Sequence, residues 1–111
     1  MNPHRALVFA ALFLIIVASL SWAVDRQVVN PKDFRPHGRP YSPAIRAGNT
    51  LYVSGQGSQN SDGKLSESFE ERVRQCLLNV RAILQGGGMD FANLVSIHVY
   101  LTDLGTFELM N

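Results

Sequence analysis

The sequence predicts a small α+β domain, on three observations. Residues 44–54 hold two short runs of strand-forming residues around a Gly-Asn turn. Residues 68–85 repeat apolar side chains at three- and four-residue steps, the period of a helix with one buried face. Residues 94–101 alternate apolar and polar side chains, the period of a strand packed on one face. A chain of 111 residues allows one such domain at most.

The elements follow in order. Residues 24–39 read as an extended leader. Pro31 and Pro36 interrupt any helix there, as Pro40 and Pro43 do just after it, and Lys32, Asp33, Arg35, His37 and Arg39 keep it solvated. It has room for at most a short edge strand at Arg26–Val29. The domain itself occupies residues 40–111. Ala44 to Ala47 form one strand, Gly48-Asn49 a turn with left-handed backbone, and Thr50 to Ser54 a second strand. Gly55-Gln56-Gly57 ends that strand, and residues 60–63 form a loop. The helix runs from Ser68 to Gln85. Ser68 and Glu71 have capping-box spacing, and Glu67, Glu70 and Glu71 suit the positive end of the helix dipole. Its stripe is Phe69, Val73, Cys76/Leu77, Val80 and Ile83/Leu84, and Gly86-Gly87-Gly88 stops it. Leu94 to Leu101 is the next strand, residues 102–105 turn, and Thr106 to Asn111 begins a second helix.

The N-terminus carries the clearest local signal. Met1 to Arg5 is a short positive start, residues 6–24 carry no charge, and Ser21-Trp22-Ala23 puts small residues where a signal peptidase reads them. The expectation is a signal peptide over residues 1–23, cleaved after Ala23, and a secreted or periplasmic protein. The rival reading is an uncleaved membrane anchor, with Trp22 at the interface. The chain is 46% hydrophobic with a net charge of +1, and loss of the first 23 residues leaves nine Lys/Arg against nine Asp/Glu. A neutral domain has no general electrostatic attraction for phosphate backbones, which argues against a nucleic-acid partner. The single cysteine, Cys76, excludes an intrachain disulfide and a cysteine-based structural zinc site. An exported domain this small without a disulfide has a thin core and is expected to need a partner subunit.

No self-contained catalytic motif emerges from spacing. Gly55-Gln56-Gly57-Ser58 lacks the lysine of a phosphate loop and opens into no helix, so it reads as a plain turn. His98 alternates within a strand and reads as structural rather than as a base. Cys76 lies on the apolar stripe of the helix, where a free cysteine acts as a small hydrophobe rather than a nucleophile. Ser54 and the Tyr41 hydroxyl are polar groups where a cleft would form, and by themselves they name no reaction.

Together the segments do name one. Pro40-Tyr41-Ser42-Pro43-Ala44 and Gly48 to Gln56 are followed by Arg74 to Val80, Gly87-Gly88-Met89 and Val99 to Leu104. Read in that order, residues 39–111 resemble the Rid proteins, the reactive intermediate (enamine/imine) deaminases also called YjgF-like. The resemblance implies a chorismate-mutase-like fold, a mixed sheet backed by two helices. It also implies a homotrimer with clefts between neighbouring subunits, and a small imino or keto acid as ligand, without cofactor or metal. It points to Tyr41, Ser54, Gly55 and Asn111 as substrate-binding residues.

Family members continue past the asparagine matched here by Asn111, finishing the second helix and adding strands. Those strands carry an arginine for the substrate carboxylate and a glutamate for the attacking water. The expectation is therefore a C-terminally truncated domain with impaired catalysis. The chemistry makes the arginine hard to replace, because a carboxylate is best held by a bidentate guanidinium. Arg39, Arg46 and Arg81 are present, and nothing in the sequence puts them in the cleft. The readings are an exported imine/enamine deaminase, a shortened relative that binds small keto or imino acids, or nothing, without turnover, and a ribonuclease or translation-inhibitor role. Neutral charge and the export signal count against the last.

Overall fold

The computed structural model of the chain describes residues 2–19, 24–32 and 40–111. In order these form helix α1 (Pro3–Ser19), strands β1 (Arg26–Val29), β2 (Ala44–Ala47) and β3 (Thr50–Val53), helix α2 (Phe69–Gly86) and a short helix α3 (Phe107–Met110). Single 3₁₀ turns stand at Phe91–Asn93 and Leu104–Thr106. The signal-peptidase triplet Ser21-Trp22-Ala23 and Arg39 lie outside the described residues.

α1 has 17 residues and no charged residue after Arg5, and its large side chains from Leu7 to Ile15 are exposed. No helix among the described residues is long and apolar enough to cross a membrane.

The three strands make one antiparallel sheet in the order β1-β2-β3. Register puts Gln27, Arg46 and Leu51 in one cross-strand row and Val29, Ala44 and Val53 in another on the same face. The opposite face carries the row Val28, Ile45, Tyr52. The β2–β3 turn uses the left-handed region at Gly48 alone, with φ +58°, while Asn49 keeps a negative φ. Both turn positions were expected to be left-handed; one glycine suffices for a two-residue loop whose first central position has positive φ.

α2 starts one residue later than its capping signal, because Ser68 itself is the cap. Its Oγ accepts from the Glu71 N–H at 3.4 Å, and it donates to the Glu70 carboxylate at 2.9 Å. Those contacts, with Glu70's own backbone N–H first among them, hold the Glu70 carboxyl below its ordinary pKa. At the other end Met89 N–H bonds Leu84 O and Gly88 N–H bonds Gln85 O, each at 2.9 Å, with Gly88 at φ +71°. That pair of bonds is the Schellman stop that the glycine run predicts. The bottom of α2 then meets the sheet. Ile83 and Leu84 are buried with Ala44, and a Cβ on Gly87 would sit 2.7 Å from the Leu51 Cδ2. Only glycine allows that approach without moving Leu51.

The strand expected over 94–101 does not form. Apart from the Leu94 N–H, which bonds the Phe91 carbonyl at 3.0 Å and closes the preceding turn, the segment has no backbone hydrogen bond among the described residues, and Val95 and Tyr100 are 95% and 90% exposed. Alternation prepares a segment for a sheet, but a strand exists only as part of a ladder. Without it the sheet is purely antiparallel rather than mixed. The same exposure leaves His98 on the surface instead of in a structural strand position.

Candidate functional site

Pro43 and Ser54 flank the terminal Ala44–Val53 pair of the β2–β3 ladder. The Pro43 carbonyl accepts from the Ser54 N–H at 2.9 Å and from the Ser54 Oγ at 3.0 Å. Both lone pairs of that carbonyl are thereby used. Tyr41 precedes Pro43 by two residues at the same end of the sheet, half-exposed. Gly55 follows Ser54, is exposed, and has no atom within 4 Å of where a Cβ would stand. Its backbone N–H is unpaired among the described residues. Tyr41, Ser54 and Gly55 thus share one end of the hairpin.

Asn111 is not brought to them. It follows α3, whose helical packing is against α2, and among the described residues no hydrogen bond joins it to Ser54 or Gly55.

Two residues given no role by the sequence reading complete the site. Gln56 Nε2 donates to the Ser54 carbonyl at 3.0 Å and to Ser54 Oγ at 3.1 Å. Asn79, half-buried on α2, donates through Nδ2 to the Gly57 and Gln59 carbonyls at 2.8 and 2.9 Å, and accepts from Gln75 Nε2 at 2.9 Å. One turn earlier on α2, the Cys76 thiol donates to the Gln56 carbonyl at 3.2 Å. Burial pushes the Cys76 pKa up, so the group stays a thiol and serves as a tether, not a nucleophile. No backbone–backbone bond holds residues 55–59, so these side chains fix the loop against the helix. The signal for Asn79 was its place on the inner face of α2, three residues after Cys76 and four before Ile83, where a polar side chain needs a partner.

Four arginines of the domain are engaged elsewhere. Arg46 donates to the Gly87 carbonyl, and its Nε is buried without a partner. Arg72 bonds the Ser66 carbonyl, and Arg74 pairs with Glu71. Arg81 forks onto Asp90, with Nε and the terminal nitrogen 2.9 and 3.0 Å from its two oxygens, and lies 5.8 Å from the Phe91 ring centre. Arg81 first, then the Phe91 N–H, hold the Asp90 carboxyl down at about 2.

A surface groove of about 350 Å³ lies away from this end of the hairpin, between α2 and α3, and Val73, Leu77, Leu78, Phe91, Leu109 and Met110 line much of it. Its lining is the outer edge of the α2 stripe, so it is a packing seam between helices. A second, about 170 Å³, lies between residues 58–66 and Glu71 and Gln75.

Comparison with known proteins places this arrangement. Residues 33–111 match the family described as Endoribonuclease L-PSP. A RutC family protein of Aquifex aeolicus is 40% identical over 87 residues, covering 78% of this chain and 69% of that one. The 2-iminobutanoate/2-iminopropanoate deaminase of Homo sapiens is 40% identical over 74 residues, covering 65% of this chain and 54% of its own length. Among solved structures, a Rid family protein from Yersinia pestis, YyfA, superposes with a TM-score of 0.72 at 31% identity, over 78% of this chain and 70% of that one. The fold is therefore that of the Rid proteins, and the chain belongs to the endoribonuclease L-PSP family, also known as the Rid, YjgF or RutC proteins.

Proposed function

We propose that the chain serves a deaminase acting on imines and enamines of 2-keto acids: water adds to the C=N carbon, ammonia leaves, and the keto acid is released. The observation that carries the reading is the unpaired Gly55 N–H next to the Ser54 oxygen at an open strand end. Such a pair offers one donor to a carboxylate and one polar atom to the nitrogen-bearing carbon. Similarity to the human deaminase supports the same chemistry. The carboxylate also calls for a guanidinium, and it is the family resemblance that assigns this role to an arginine on the strands following the position of Asn111.

The test generates 2-iminobutyrate in the presence of semicarbazide and measures how far each protein competes with trapping. The chain extended by the C-terminal strands of the human relative should hydrolyse the imine at least ~100-fold faster than the chain alone, the loss typical of one positioned charge. Ser54→Ala in the extended protein should slow it. Unchanged trapping with both proteins would overturn the reading.

Two further parts belong to this proposal. The chain assembles as a homotrimer, supported by the uncovered Val28–Ile45–Tyr52 row and the unpaired segment 94–101, which leave apolar surface and backbone for neighbouring copies. It is exported, supported by helix α1, which carries Arg5 near its start and no charge after it. Mass spectrometry should find the mature N-terminus at Val24, and an intact Met1 on soluble cytoplasmic protein would overturn export.

A further inference from the structure

We propose that Gln56 is a positioning residue that holds Ser54 Oγ as a hydrogen-bond acceptor toward the ligand, so that the site selects an N–H-bearing carbon over a ketone. The inference rests on the ligand class proposed above and deepens it.

A hydroxyl has one proton to donate and two lone pairs. The partner of Ser54 Oγ at 3.0 Å is the Pro43 carbonyl, which only accepts, so the proton points there. Gln56 Nε2 lies 3.1 Å from the same oxygen and 3.0 Å from the Ser54 carbonyl. That carbonyl also only accepts, which fixes the nitrogen end of the Gln56 amide against Ser54 and makes it the donor. One lone pair of Ser54 Oγ is thereby taken, and one is left for a ligand. A hydroxyl that accepts a hydrogen bond becomes a stronger donor, so Gln56 also strengthens the bond that keeps the proton on Pro43. Gln56 is itself held through its carbonyl by the Cys76 thiol, and the loop after it by Asn79.

The consequence is directional. An imine or enamine nitrogen has a proton to give to the remaining lone pair. After hydrolysis the same carbon carries an oxygen with lone pairs only, which meets another acceptor and is disfavoured. The site therefore discriminates substrate from product at the atom that changes, and favours product release.

Oxamate and pyruvate test this on the full chain. They share a planar carboxylate of similar size, and oxamate carries an N–H group on the neighbouring carbon where pyruvate has a methyl. Affinities are read by NMR titration of the Gly55 amide. The wild-type chain should bind oxamate about 10-fold more tightly than pyruvate, the effect of one paired polar group. Gln56→Met should bring the ratio to within about 2-fold, and Ser54→Ala should abolish or reverse it. A merely structural role for Gln56 would weaken both ligands and leave their ratio unchanged, which would overturn the inference. Equal affinities in the wild-type chain would overturn it too, while leaving the ligand class standing. Failure of both ligands to bind the chain would overturn this inference, while the imine-trapping assay on the extended protein decides the ligand class independently.

Discussion

The Arg46 guanidinium donates to the Gly87 carbonyl, joining the middle of β2 to the C-terminal stop of α2. The carbonyl end of a helix carries partial negative charge, so a cation there satisfies an acceptor and the dipole at once. The contact sits beside the close approach of Gly87 to Leu51, and it locks the helix onto the sheet where Ile83 and Leu84 are buried.

Arg46→Met keeps most of the stem volume and removes the donor. Stability should fall by about 1–3 kcal/mol, the range for a hydrogen bond to a charged group, and urea unfolding of the two chains measures it. An unchanged midpoint would mean that the stem, not the guanidinium, holds the junction.

Asp90 gives a pH dependence with a fixed sign. Its carboxyl is lowered from 3.8 to about 2, chiefly by Arg81. A carboxylate that binds protons more weakly folded than unfolded stabilises the fold above the unfolded value and loses that effect as pH falls through the folded one. Acid titration of the wild type should therefore show stability lost between about pH 4 and 2. Asp90→Asn should flatten that limb while lowering stability at neutral pH, because the Arg81 fork and the Phe91 N–H lose a charged acceptor.

Legibility divided along local and non-local lines. The β2–β3 hairpin, the edge strand β1 and helix α2 with its serine cap and glycine stop all appear where the residues put them, since caps, turns and periodicity act within a few positions. Leu94–Leu101 fails for the opposite reason: its alternation is a local property, and pairing is not. The site divides in the same way. Ser54 and Gly55 stand at the hairpin end where the register sets Pro43 opposite Ser54, two residues after Tyr41, whereas Asn111 depends on how α3 is set against α2. Asn79 had a signal in its place on the inner face of α2, but its loop partners are backbone carbonyls that no residue pattern announces, and Gln56 is set by the turn of the chain after Ser54.

Asn79 satisfies two loop carbonyls with one amide group, so Asn79→Ala should release residues 57–59 without unfolding α2. Heteronuclear relaxation should show lower order parameters at Gly57 and Ser58, with helical circular dichroism retained. Asn79→Asp, which keeps the shape and loses the donor, should loosen the loop as much as alanine does. A rigid loop in both variants would show that chain geometry alone holds it.

The outer face of the sheet is the place to test assembly. Val28, Ile45 and Tyr52 stand opposite one another across three strands, 57%, 38% and 64% exposed, while the other face of the sheet meets α2. A carboxylate in such a row, on the edge strand β3, costs little in a solvated monomer. Between packed copies it would be desolvated without a partner, which is strongly unfavourable. If the chain forms the proposed trimer through this face, Tyr52→Glu should shift it toward monomer on size exclusion with light scattering, with β2 and β3 still paired in the monomer. Tyr52→Phe keeps the apolar area and should leave the trimer intact. If Tyr52→Glu assembles as the wild type does, this face is not the interface. Association would then have to use the unpaired 94–101 segment, where Val95→Lys and Val99→Lys together become the discriminating pair.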